Sequence, residues 1–188
     1  MNELTNKRLF LLDMDGTLYL DDRLFPGAAD FLAKIRQSGG KYLFLTNNSS
    51  KGVDAYVEKM TRLGVPAAAE DFLTSVDALI VFLERTYGAA VKKKKMYVVG
   101  TRSFRAQLAA AGFLLTETPD DDTELLILGF DRELTYPKLE DACRLLARRG
   151  EKSGATDARQ AKNALPAVDY YATNPDWVCP TVFGSVPD

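Results

Sequence analysis

The chain has 188 residues, room for one full domain or two small ones, and with 46% hydrophobic against 27% charged residues it can bury a core. A formal net charge of −2 argues against a general nucleic-acid binder, and the complete absence of histidine removes Ser-His-Asp and Cys-His catalysis and HExxH zinc chemistry. Cys143 and Cys179 lie far apart and form no CxxC pair, no apolar run approaches the roughly 20 residues of a membrane span, and acidic residues come too early for a secretion signal. The expectation is a cytoplasmic protein with neither a membrane nor a nucleic acid as partner.

In chain order, the apolar run Arg8–Leu12 predicts a buried strand that ends abruptly in Asp13-Met14-Asp15-Gly16. After Pro26-Gly27, the spacing of Phe31, Leu32 and Ile35 predicts a helix stopped by Gly39-Gly40. Tyr42–Leu45 predicts a second strand running into Thr46-Asn47-Asn48-Ser49-Ser50. A helix follows with Val53, Tyr56, Val57 and Met60 on one face and Gly64 as its stop. Strand–helix–strand–helix order implies parallel pairing with a right-handed crossover. With two strands expected in this unit, the sheet would be marginal.

The rhythm restarts after a boundary near Leu73–Ser75. Thr74 or Ser75 can cap a helix striped by Val76, Leu79, Ile80 and Leu83. Met96–Val99 predicts a strand, Phe104–Ala111 a helix closed by Gly112, and Leu125–Leu128 a further strand. A helix carrying Leu139, Ala142, Cys143 and Leu146 follows, capped by Thr135 with Gly150 past its end, and Val168–Ala172 is the last expected strand. The polar stretch from Glu151 to Ala167 fits neither pattern and receives no functional reading. Lys92–Lys95 read as a solvated charged face.

In open parallel sheets, ligands gather at the carboxyl ends of the strands. That places Asp13 and Asp15, Thr46 and Asn47, Asp131, and finally Asn174 and Asp176 among the candidates. Two carboxylates as close as Asp13 and Asp15 repel, so one protonates more readily than the other. The pair can thus supply a nucleophile and a general acid without histidine. A calcium loop is the rival for this motif, but it would place Leu11 at its first ligand position and Asp22 at its twelfth, with a strand leading in. A plain Asp-Gly turn is the other alternative.

Asp13-Met14-Asp15-Gly16-Thr17-Leu18 resembles the first motif of the haloacid dehalogenase (HAD) phosphatases, and Leu45-Thr46-Asn47-Asn48-Ser49 their second. Together with Phe25-Pro26-Gly27-Ala28, Tyr97-Val98-Val99-Gly100, Leu128-Gly129-Phe130-Asp131 and Ala172-Thr173-Asn174-Pro175-Asp176, the chain is similar to the p-nitrophenyl phosphatase or NagD-like branch. The resemblance implies an α/β fold: a HAD-like Rossmannoid parallel sheet with an inserted α/β cap. Residues 1–74 would form the front of the core and 75–188 the cap, with the C-terminal half of the core absent.

The resemblance also implies roles. Asp13 would attack phosphorus, Asp15 would protonate the leaving alcohol, and the Thr46 hydroxyl and Asn47 backbone N–H would hold phosphate oxygens. Mg²⁺ would bind the Asp13 carboxylate and the Asp15 backbone carbonyl. Asn174, Asp176 and Asp131 would select the substrate, a small phosphorylated metabolite, and the cap could pair two copies into a homodimer. The family's later lysine and acidic motif find no counterpart before Asp188. A HAD-like module that binds phosphate and metal without turnover is therefore the alternative, and a nucleic-acid module using Lys92–Lys95 with Arg144, Arg148 and Arg149 a more distant one.

Overall fold

The computed structural model describes residues 6–148 and 166–187. Strand β1 (Leu9–Asp13) breaks at Met14 into a tight loop and a small antiparallel hairpin of β2 (Tyr19–Leu20) and β3 (Arg23–Leu24). Helix α1 (Ala28–Gln37), strand β4 (Lys41–Thr46), helix α2 (Val53–Arg62) and strand β5 (Phe72–Thr74) follow. The sheet order is β1–β4–β5, all parallel, as helical crossovers dictate. The third strand corrects the expected two. Three residues are too few to show a period, and only the pairing of Phe44 with Phe72 and Thr46 with Thr74 reveals it.

Successive side chains of a strand point to opposite faces, and here the two faces differ. Phe10, Leu12, Tyr42, Phe44 and Phe72 pack against Leu32, Ile35, Tyr56 and Met60 of the helices. Burying each such side chain is worth about 1.5–3 kcal/mol. On the other face Leu9 and Leu11 remain 57% and 58% exposed. β1 is thus buried on one side only, a correction to the fully buried run that the sequence predicts. Phe31 is also exposed and touches the edge of Phe10 instead of entering the core.

Thr74 ends β5 and caps α3 (Ser75–Tyr87), its hydroxyl accepting from the Asp77 amide while the Asp77 carboxylate accepts from Thr74. The second unit continues with β6 (Lys95–Val99), α4 (Arg102–Ala110), β7 (Leu114–Thr116), β8 (Thr123–Leu128), α5 (Tyr136–Leu146) and β9 (Asp169–Ala172). Its parallel sheet is ordered β7–β6–β8–β9, with α3 and α4 packed through Val76, Leu79, Leu83, Phe104 and Leu108. Helix α5 turns differently from expectation. Ala142 and Leu145 meet Tyr97, Val99 and Leu126, whereas Leu139, Cys143 and Leu146 are exposed. Both stripes have helical spacing, and the sheet face selects between them.

A last hairpin, β10 (Val178–Thr181) and β11 (Gly184–Pro187), leaves the second sheet. The Val182 amide at its tip donates to the Asp21 carboxylate between β2 and β3. Gly150 and the polar stretch from Glu151, up to residue 165, lie outside the described residues. Lys92 pairs with Glu84, Lys94 with Glu124 and Lys95 with Asp120, so these lysines carry local partners. Among the described residues, no helix is long and apolar enough to cross a membrane.

Candidate active site

Asp13 is the last residue of β1, and its pairing with Leu45 sets it beside the carboxyl end of β4, one residue before Thr46. Gly16, at φ +81°, lets the chain reverse directly after the strand. Its amide donates to the Tyr19 carbonyl, and the Thr17 and Leu18 amides donate to Met14. The turn brings the Thr17 hydroxyl onto the Asp13 carboxylate at 2.6 Å. Asp13 is exposed and Asp15 half-buried, so the two carboxylates meet different surroundings. Burial pushes the Asp15 carboxyl above its ordinary value; Lys59 and then the Tyr19 hydroxyl draw it down, and the Asp13 charge raises it again. Burial thus lets Asp15 keep a proton more readily than an ordinary aspartate.

Thr46 is buried in a closed ring of hydrogen bonds. Its hydroxyl donates toward the Tyr56 hydroxyl at 3.4 Å, Tyr56 donates to the Asn48 carbonyl at 2.9 Å, and the Asn48 amide donates back to Thr46 at 3.2 Å. Burial, first of all, lifts the Tyr56 hydroxyl to about 12. The Asn48 side chain accepts from both the amide and the hydroxyl of Ser50, fixing the next turn. Asn47 is left exposed at the mouth of the site, its side-chain amide donating to the Asp176 carboxylate.

The second unit sits on this same loop. Ser75 donates to the Asn47 carbonyl, and Thr101 to that of Ser50. The buried Ser49 hydroxyl accepts from the Phe130 amide at 2.9 Å and from Thr173 at 3.0 Å. The ends of β6, β8 and β9 thereby converge on the loop after β4, bringing Asn174 and Asp176 beside Asn47. Asn174 is half-buried against Thr173 and Asp176 is exposed. They line an open cavity of about 600 Å³ with Tyr170, Thr173, Pro175 and Trp177. Asp131 is engaged elsewhere: its carboxylate, 3% exposed, accepts from Lys138 at 2.8 Å, and Lys138 also donates to the Gly100 and Glu133 carbonyls.

Sequence reasoning missed Thr17, Tyr19, Lys59 and Ser49. Thr17 was within reach, lying four residues past Asp13 in the same motif. Lys59 precedes the core residue Met60 and follows Tyr56 by three positions, which puts it on the inner edge of α2, but a charged residue there reads as solvent-facing.

The donor set around Asp13 and Asp15 is all oxygen and anionic, the kind magnesium prefers. Among the described residues no three His, Cys, Asp or Glu side chains gather round one point, so water and phosphate would have to complete the shell of an ion.

The haloacid dehalogenase-like hydrolase family model matches residues 10–114, more than half of the chain. The chain is 31% identical over 153 residues to an acid sugar phosphatase of Staphylococcus saprophyticus, covering 81% of this chain and 56% of that protein. It superposes on a 4-nitrophenylphosphatase of Thermotoga maritima with a TM-score of 0.78 at 34% identity, covering 100% of this chain and 62% of the other. A putative NagD protein aligns with a TM-score of 0.76 at 35% identity, over 97% of this chain and 62% of its own. The chain thus spans about 60% of the length of these relatives. By family match, fold and the motif at Asp13, this chain belongs to the haloacid dehalogenase-like hydrolases, in their NagD-like phosphatase branch.

Proposed function

We propose that the chain carries the nucleophile, proton donor and substrate cap of a magnesium-dependent phosphatase acting on small phosphate monoesters through an aspartyl phosphate. The observation carrying this reading is the Asp13–Asp15 pair. One carboxylate is exposed at a strand end under the Thr17 hydroxyl, and the other is half-buried with its carboxyl raised. Asp13 Oδ attacks phosphorus as the P–O bond to the alcohol breaks, and Asp15 gives that alcohol its proton. In the second half, Asp15 takes a proton from the water that attacks the aspartyl phosphate. The Asn47 backbone N–H holds a phosphate oxygen, and the Thr46 hydroxyl joins it by turning its proton from Tyr56, a long 3.4 Å bond, to the phosphate. The Thr46–Tyr56–Asn48 ring keeps that loop in place.

An exposed carboxylate facing a dianionic phosphate at 4 Å is opposed by about 8 kcal/mol at an effective dielectric near 20. Magnesium on the Asp13 carboxylate and the Asp15 carbonyl would offset that repulsion. Asn174 and Asp176, held beside Asn47, are the cap's candidates for reading the leaving group; Asp131 is spoken for by Lys138. A cytoplasmic setting and pairing of two copies through the cap's exposed Val81, Phe82 and Tyr170 belong to the same reading.

A second reading is a module that binds phosphate and metal without turnover, favoured by the donor set among the described residues, where no three His, Cys, Asp or Glu side chains gather round one point. A phosphate-release screen over sugar phosphates, phosphoglycolate and nucleoside monophosphates, with and without Mg²⁺, separates the two. Turnover that needs Mg²⁺ and disappears in Asp13→Asn supports the phosphatase. Mg²⁺ and phosphate binding by calorimetry with no release supports the module, and turnover unchanged in Asp13→Asn refutes the assignment of Asp13.

A further inference from the structure

Lys59 is an unusual neighbour for a carboxylate in this site. Its ammonium sits 3.6 Å from the centroid of the Tyr19 ring and 3.8 Å from Asp15 Oδ1, with its side chain only 13% exposed. Removing an ammonium from water costs free energy, and burial holds Lys59 below the ordinary lysine range. A packing role on the inner edge of α2 would be filled at lower cost by a methionine or leucine. What the ammonium adds is a fixed charge on one side of Asp15, braced by an aromatic face.

Tyr19 makes the second observation. It is fully buried, and its hydroxyl is the one buried side-chain polar atom among the described residues without a hydrogen-bond partner. Burial first, and then the neighbouring Asp15 charge, push this hydroxyl well above the ordinary tyrosine range. A partnerless buried hydroxyl calls for an explanation, and a donor beside a carboxylate that changes charge during turnover supplies one. The backbone bridge between Asp15 and Tyr19 holds the two residues side by side.

We propose that Lys59 and Tyr19 are positioning residues that clamp the Asp15 carboxylate in the orientation from which it hands a proton to the leaving alcohol. The inference rests on the phosphatase reading for the reaction, but the clamp itself is a property of the fold. As the proton leaves Asp15 for the alcohol oxygen and the P–O bond breaks, Asp15 becomes a carboxylate. The Lys59 ammonium, braced on the Tyr19 ring, and the neighbouring phenolic O–H then hold it still for its return as a base.

The test uses the 188-residue chain and its Lys59→Met, Lys59→Arg and Tyr19→Phe variants with two esters. 4-Nitrophenyl phosphate has a leaving group that needs little protonation, whereas glycerol phosphate releases an alkoxide that needs a proton. A clamp predicts that Lys59→Met and Tyr19→Phe lose at least about tenfold more kcat on the glycerol ester than on the nitrophenyl ester, since general acid catalysis is worth 10²–10⁴. KM changes little, and Lys59→Arg retains most of the activity. Equal losses on both esters overturn the proposal.

Three-bond couplings at the Asp15 Cβ protons, measured by NMR without substrate, report on the clamp independently of turnover. One χ1 rotamer in the parent that becomes averaged in Lys59→Met supports it, and unchanged couplings overturn it. Absence of hydrolysis by the parent would refute the phosphatase reading alone and leave the couplings to decide the clamp.

Discussion

Gly129 of the second unit lies against Ser49 of the loop after β4, and a single methyl group there should be costly. A Cβ built on Gly129 would lie 2.6 Å from the Phe104 ring and 2.6 Å from the Ser49 hydroxyl, well inside contact distance. Both neighbours are fully buried, so neither has room to retreat. Overpacking of this kind costs about 1–3 kcal/mol. Moving Ser49 also weakens its bonds to Phe130 and Thr173, each worth about 1 kcal/mol. Gly129→Ala should therefore lose about 2–4 kcal/mol, a fall in Tm on the order of 10 °C for a chain of this length. The control is Gly27→Ala, where φ is +83° but no atom lies within 4 Å, leaving only a backbone strain of about 1–2 kcal/mol. Thermal melting of both variants gives the comparison. In a Ser49→Ala background Gly129→Ala should cost less, because one of the two obstructing groups is gone. A Gly129→Ala protein melting as high as Gly27→Ala would refute the close seating of the second unit on the loop after β4.

Tyr56 provides a pH prediction. Its hydroxyl, lifted from 10.0 to about 12, stays protonated in the fold while an unfolded tyrosine ionises, so its contribution is intact below pH 10 and lost as pH rises toward 12. Two units correspond to about 3 kcal/mol, and urea unfolding at alkaline pH should show this drop, reduced in Tyr56→Phe. An equally steep drop in Tyr56→Phe would contradict the assignment. Asp131→Asn should lower Tm by removing the buried partner of Lys138 while leaving the ranking of phosphate esters unchanged. A changed ranking would return Asp131 to the specificity residues. Asp176→Ala should instead alter that ranking with little change in Tm, since Asp176 is exposed and bonded to Asn47 at the mouth of the site.

Much of this architecture is legible before any coordinates because the signals are local. The run ending at Asp13, the Gly16 reversal and the second run ending at Thr46 each need only a few neighbouring residues to be interpreted. What escaped depends on distant partners. β5 becomes a strand only through its pairing with β4, and the two-residue strands of the β2–β3 hairpin are too short to carry a period. The buried stripe of α5 is Ala142 and Leu145 because Tyr97, Val99 and Leu126 wait on the sheet. Lys59 looks like an ordinary surface lysine until α2 turns it over the Tyr19 ring. At the site, the two acids and the loop after β4 were visible in the sequence, whereas the Ser49 contacts that seat the second unit were not.

The most direct measurement is to mix the protein with a hydrolysable phosphate ester and Mg²⁺, quench in acid within milliseconds, and locate any added phosphoryl group by peptide mass spectrometry. The account predicts one acid-trapped phosphoryl group on Asp13, absent from Asp13→Asn. Ester hydrolysis with the label on another residue, or with none trapped while phosphate accumulates at the same rate in Asp13→Asn, would contradict it.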